Sequence, residues 1–179
     1  MINPYKAPES VVDSTSELSR YNELEAFVKG SKSLGDAESY LIKWQGLNKN
    51  TSSWAGFNFP SFFFGFIWCF YRKMYITGIV VILLELFCGF LTELTFLLLN
   101  SDSISSPAIL FYTIPFLFVR LPLGFLANKL YFNYAKKTIS RIKQTEPENT
   151  ILDKIREKGG PSILGLILGF VINIAFRMI

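Results

Sequence analysis

Apolar residues recur at steps of three and four over the first quarter of the chain, then fuse into long runs. Leu18, Tyr21, Leu24 and Phe27 lie at helical spacing behind Ser14 and Glu17, which stand in capping-box positions, and Gly30 suits the end of that helix. Ala37, Tyr40, Leu41, Trp44 and Leu47 repeat the pattern and leave Glu38, Lys43 and Gln45 on the wet side. The spacing predicts a small pair of amphipathic helices over residues 16–53. Residues 1–15, with Pro4, Pro8 and several hydroxyl side chains, read as a disordered lead-in.

The later runs have a different character. Residues 76–99 are 24 positions with two charges, residues 107–127 are 21 with one, and residues 161–176 are 16 with none. A helix that crosses a bilayer needs about 20 residues, within a range of roughly 17 to 25. The first two runs meet this and predict transmembrane helices over 76–99 and 107–127. The third is marginal, so residues 161–179 form either a C-terminal span or a re-entrant helix. Just ahead of the first run lies an aromatic block, residues 58–75, reading NFPSFFFGFIWCFYRKMY. Pro60 fits a first helical turn, and a helix from there to Tyr71 is only about 18 Å long, roughly half of a bilayer core of about 30 Å. An interfacial or re-entrant helix over residues 57–75 is favoured over a full span from Trp54 to Tyr71. Its anchors at the interface would be Trp68, Tyr71, Arg72, Lys73 and Tyr75. The fold class expected is an all-α membrane protein with two to three transmembrane helices, the aromatic helix and a small N-terminal helical pair.

Charge supplies an orientation. Arg72 and Lys73 precede the first run, the 100–106 loop has one acid and no cation, and residues 128–160 hold eight Lys/Arg against four acids. The positive-inside rule places the Arg72 end, the N-terminus and residues 128–160 in the cytoplasm. No secretory signal is visible in the polar residues 1–53. Lys129, Lys136, Lys137, Arg141 and Lys143, interleaved with Leu130, Tyr131, Tyr134, Ala135 and Ile142, read as a basic helix lying on anionic lipid headgroups. Nucleic acid is a poor alternative, because these charges follow an apolar run directly.

Ionisable residues inside such runs are expensive and mark candidate sites. Glu85, Glu93 and Arg120 are the three present. Glu85 lies about 14 Å along the first run and Arg120 about 12 Å from the end of the second, so an antiparallel pair brings them together as an ion pair. Glu93, at about 26 Å by the same rise, is expected near the far surface, solvated or bonded to Tyr112. Gly78 and Gly89 share a small, polar stripe with Glu85, and Gly165 and Gly169 form a Gly-x-x-x-Gly step, both suited to close helix packing within the chain or between copies.

Catalytic chemistry is sparse. The chain has no histidine, and its two cysteines, Cys69 and Cys88, sit in apolar surroundings unsuited to a disulfide framework or a thiolate metal site. Ser140 to Lys143 matches Ser-x-x-Lys without the companion motifs of a catalytic set. No cofactor, metal or enzymatic activity is expected.

Tyr40-Leu41-Ile42-Lys43-Trp44, the block from Asn58 to Gly65, Trp68 and Tyr71 to Tyr75 resemble the pattern of small bacterial membrane proteins grouped as domain-of-unknown-function family 2628. Gly159-Gly160-Pro161-Ser162 is similar to a Gly-Gly-Thr-Ser turn of some members. The resemblance implies a bacterial cytoplasmic (inner) membrane and carries no catalytic residue. The leading expectation is a non-enzymatic accessory or scaffold subunit with a protein partner or a second copy of itself. The alternatives are a small transporter or lipid-handling protein using Glu85 and Arg120, and a membrane immunity or defence factor.

Overall fold

The first helix, α1 (Glu9–Lys29), begins earlier than its capping signal. The structure, a computed structural model, describes residues 9–31, 37–48, 54–99 and 116–178. Residues 9–15, expected to be disordered, are helical, and Ser14 lies inside α1. No Gly or Pro interrupts the backbone between Glu9 and Lys29. Leu24 and Phe27 are buried as their spacing requires, whereas Leu18 and Tyr21 are exposed. Gly30 ends the helix with φ 65°. In α2 (Ala37–Asn48) the apolar face is buried throughout, from Ala37 to Leu47.

The aromatic block forms not one helix but two, α3 (Phe59–Phe64) and α4 (Phe66–Tyr71), separated at Gly65. Then α5 (Tyr75–Leu99) follows. A π-helical turn, Phe116–Arg120, leads directly into α6 (Leu121–Thr145), then a 3-10 turn, Glu148–Thr150, α7 (Ile151–Lys158) and α8 (Ile163–Met178). Among the described residues every regular element is helical. Residues 100–115, including Tyr112 and the first nine residues of the second expected span, lie outside the described residues.

The boundary expected at residues 127 and 128 is absent, because α6 continues straight through it. Between Gly124 and Pro147 there is neither Gly nor Pro, so the surface changes from apolar to basic while the backbone stays helical. Two stretches are long and apolar enough to cross a membrane, Tyr75–Thr95 and one within Glu148–Phe176. The second is broken at Gly159 to Ser162, so its apolar arm is the 16-residue α8, about 24 Å long.

The chain divides into two compact units. The first comprises Met1–Ile42 with Ala135–Gly160. There α1 packs against α7, with Phe27, Val28 and Ile155 buried. The Gly159-Gly160 pair lies directly on the α1 backbone. The Gly160 amide donates to the Phe27 carbonyl at 2.7 Å, and a Cβ on Gly159 would fall 2.1 Å from that same oxygen. Lys143 pairs with Glu23 at 2.6 Å.

The second unit comprises Lys43–Tyr134 with Pro161–Ile179. Its centre is α4, whose residues Phe66, Ile67, Trp68, Cys69 and Phe70 are all buried. Helix α8 covers one side: a Cβ on Gly165 would meet the Phe70 carbonyl oxygen at 2.2 Å, and one on Gly169 would meet Ile67 Cα at 3.1 Å. Helix α5 covers another, with Gly78 against the Phe70 ring and Cys69 Cβ. The Gly-x-x-x-Gly step is thus used inside the chain, with small residues admitting a neighbouring backbone. Ser162 caps α8 by accepting from the Gly165 amide at 2.9 Å, and its own amide donates to the Tyr71 carbonyl at 2.7 Å.

Candidate functional site: a helical hairpin closed by an ion pair

The site grows from the local chemistry of the aromatic block. Asn58 caps α3, its side-chain oxygen accepting from the Ser61 amide at 2.9 Å, and Pro60 occupies the first turn, where its missing N–H leaves nothing unpaired. After six residues Gly65 adopts φ 54° and ψ −123°, a conformation that side chains with a Cβ strongly disfavour, and the helix breaks.

Contacts with the π turn and α6 show which way the chain then runs. The Asn58 amide donates to the Gly124 carbonyl at 2.8 Å, and the Phe63 carbonyl accepts from Arg120. Past Gly65, the Trp68 ring sits 6.1 Å from the Tyr131 ring, and the Tyr134 hydroxyl donates to the Lys73 carbonyl at 3.1 Å. The chain therefore runs from the level of Gly124 to that of Arg120 and returns past Tyr131 to Tyr134. It is a helical hairpin with Gly65 at its tip. Lys73 makes the exit turn with φ 60°, unusual for a residue other than glycine.

Glu85 and Arg120 meet at that tip. Arg120 Nε donates to Glu85 Oε1 at 2.9 Å, and Arg120 Nη1 donates to the Phe63 carbonyl at 2.8 Å. One guanidinium thus neutralises a carboxylate and satisfies a carbonyl at the C-terminal end of α3. A Cβ on Gly65 would stand 3.0 Å from Glu85 Oε1 and 3.1 Å from Arg120 Nε, so glycine is needed for room as well as for φ. Arg120 ends the π turn two residues ahead of Pro122. A proline there lacks an amide and crowds the carbonyl four residues back, which a widened turn relieves.

A second polar cluster holds the hairpin's base, and its central residue, Asn128, carries no motif in the sequence. Asn128 Nδ2 donates to the carbonyls of Ala55 and Gly56, both at 3.0 Å, while Asn128 Oδ1 accepts from Asn58 Nδ2 at 2.7 Å. The Asn128 carbonyl accepts from Trp44 Nε1 at 3.0 Å. Asn58, Ser61, Asn128 and Trp44 are all buried. The available signal was an asparagine on the same apolar helix face as Ala127, Tyr131 and Ala135. Asn128→Ala is expected to lower the thermal midpoint in detergent, at about 1–3 kcal/mol for each buried group left unsatisfied. Asn128→Asp should be no better despite its similar shape, because it turns a carboxylate toward two carbonyls. Wild-type stability in the Asp variant would refute this role.

The other expected site residues are dispersed. Glu93 is exposed on α5, and its suggested partner Tyr112 is outside the described residues. Gly89 is buried. Trp68 and Arg72 are interior residues rather than interface anchors, since α4 and its exit turn are enclosed. The Arg72 guanidinium lies 5.4 Å from the Tyr71 ring and 5.2 Å from that of Tyr131, a stacked arrangement that a delocalised cation tolerates. Tyr71 and Lys73 are half-buried, and Tyr75 is exposed. Lys129, Lys136, Lys137 and Arg141 are exposed, but Tyr131, Ala135 and Ile142 are buried in protein and so are not free to lie in a lipid surface. Among the described residues no three His, Cys, Asp or Glu side chains cluster as metal ligands.

A family model described as a protein of unknown function (DUF2628) matches residues 29–137. The chain belongs to this family. No curated protein and no solved structure matches it. The DUF2628 region contains α2, the hairpin, α5 and α6 as far as Lys137, and with them Trp44, Asn58, Gly65, Glu85, Arg120 and Asn128. Both polar clusters therefore lie within the family's own span, whereas α7 and α8 lie beyond it.

Proposed function

We propose that this chain is a non-enzymatic, multi-pass protein of a bacterial cytoplasmic membrane, an accessory or scaffold subunit whose N-terminal helices face the cytoplasm. The observation that carries the reading is the outer surface of α5 and α8. Ile76 is 81% exposed, Leu97 and Leu98 are each 74%, and Leu164 is 80%, with apolar side chains around most of both helices. A helix apolar all round needs an apolar solvent, and no described protein surface covers these side chains. Being about 24 Å long, α8 would require local thinning of a core about 30 Å thick.

In this setting the hairpin is a re-entrant element. Broken backbone is tolerated at membrane depth where protein encloses it, and α5, α6 and α8 surround α4. Glu85 bonds to Arg120 and Asn58 to Asn128, and Arg120 and Asn128 donate to carbonyls of the hairpin and its lead-in, which supports a structural rather than a reactive role. A second reading, a small transporter or lipid-handling protein, draws on the residual exposure of the pair, 21% for Arg120 and 16% for Glu85.

Two measurements test the proposal. The protein should stay with membranes through an alkaline carbonate wash, and release into the supernatant would end the membrane reading. Purified protein in liposomes should show no ion or lipid flux that depends on Glu85. Flux lost in Glu85→Gln would replace the scaffold reading with the transporter.

A further inference from the structure

We infer that the hairpin makes the second unit a single-leaflet wedge, so that the protein concentrates where the bilayer curves toward the leaflet that holds Asn58 and Asn128. The inference rests on the membrane placement proposed above and adds a ligand to it: the acyl chains of one leaflet.

Depth is the first support. The hairpin's tip lies level with Glu85, ten residues along α5 from its start at Tyr75, or about 15 Å. Half of a hydrocarbon core of about 30 Å is about 15 Å, so the hairpin reaches through one leaflet and stops.

Cross-section is the second. Between those levels α3 and α4 lie beside α5, α6 and α8, as the contacts of Asn58 with Gly124, of Gly78 with Phe70 and of Gly165 with Phe70 require. Beyond the tip, α3 and α4 have ended. Helix α5 runs on from Glu85 to Leu99, and α8 runs on past Gly169 to Met178. Among the described residues, two helices, each about 10–12 Å across, thus add to the section of one leaflet only.

The outward face of α3 is the third. Phe59 is 64% exposed, Phe63 56% and Phe64 50%, while Ser61 between them is fully buried. Three large rings on a six-residue helix point away from the unit's core at the depth of the acyl chains. Exposed Trp54 marks the base, at the headgroup level that suits an amphipathic ring.

The test uses full-length protein in giant vesicles of mixed zwitterionic and anionic lipid, with the N-terminus outward as checked by protease removal of an N-terminal label. Membrane tubes are then drawn from the vesicles. In that orientation the wide leaflet is the convex one, and the tube-to-vesicle ratio should rise by about twofold or more, as expected of elements seated in one leaflet. Phe59→Ala, Phe63→Ala and Phe64→Ala combined should bring the ratio back toward unity while α5 and α8 still hold the protein in the bilayer. A wild-type ratio of unity in protein that has incorporated overturns the wedge and leaves the membrane placement standing. So does cross-linking that finds α3 covered by a second copy, with no curvature preference. Failure to incorporate overturns both.

Discussion

Neutralising both members of the ion pair is expected to be less damaging than neutralising either one. Glu85→Gln leaves the Arg120 guanidinium without its carboxylate, and Arg120→Gln leaves the Glu85 carboxylate without its cation. Breaking a buried pair from one side costs about 3–5 kcal/mol, because the remaining charge is stranded. The residual exposure of this pair, 21% and 16%, places each single change toward the low end of that range. Glu85→Gln with Arg120→Gln removes both charges, and a neutral amide at position 120 retains a donor for the Phe63 carbonyl. Thermal unfolding of the four proteins in one detergent completes the cycle, with the double variant expected above both singles. If it falls at or below the weaker single, the two residues do not act as a pair.

Gly165→Ala is expected to disrupt the second unit through a single added carbon. The new Cβ would stand 2.2 Å from the Phe70 carbonyl oxygen and 2.9 Å from its carbon. Both are backbone atoms of a helix enclosed on other sides, so α8 has to move outward as a body. Overpacking of this sort typically costs about 1–3 kcal/mol, and occasionally more where the obstacle cannot turn aside. Gly169→Ala meets Ile67 Cα at 3.1 Å and should cost less. The order of thermal midpoints, wild type above Gly169→Ala above Gly165→Ala, checks the packing. If these glycines served contacts between copies, Gly165→Ala would instead change the oligomeric state and leave the monomer's stability intact.

Features that depend on periodicity or on rise per residue could be read from the chain. The apolar face of α2 is an example, as is the meeting of Glu85 with Arg120, since a helix advances by a fixed amount per residue and antiparallel neighbours can be matched by depth. Features that depend on tertiary enclosure could not. Arg72 carries the same charge whether it reaches for headgroups or stacks on Tyr131, and its position in α4's exit turn decides which. Asn128 stands at the polar end of an apolar run, and the sequence gives no sign of the three partners its side chain finds. The break at Gly65 was hidden for a related reason. A lone glycine inside an aromatic run is usually tolerated in a helix, and here its φ of 54° turns the chain back where a Cβ would meet the ion pair.

The seat of α8 against α4 has a consequence for the timing of synthesis. Helix α8, made well after α4, covers Ile67 and Phe70, and Gly160, made well after α1, supplies the amide bonded to Phe27. In each unit an early element is therefore covered by one made much later. At about 5–20 residues per second, the hairpin is synthesised roughly 5–20 s before Gly165 exists to cover it. Over that interval the flank that carries Ile67 and Phe70 has no α8 over it, and a message truncated before α8 would leave it uncovered.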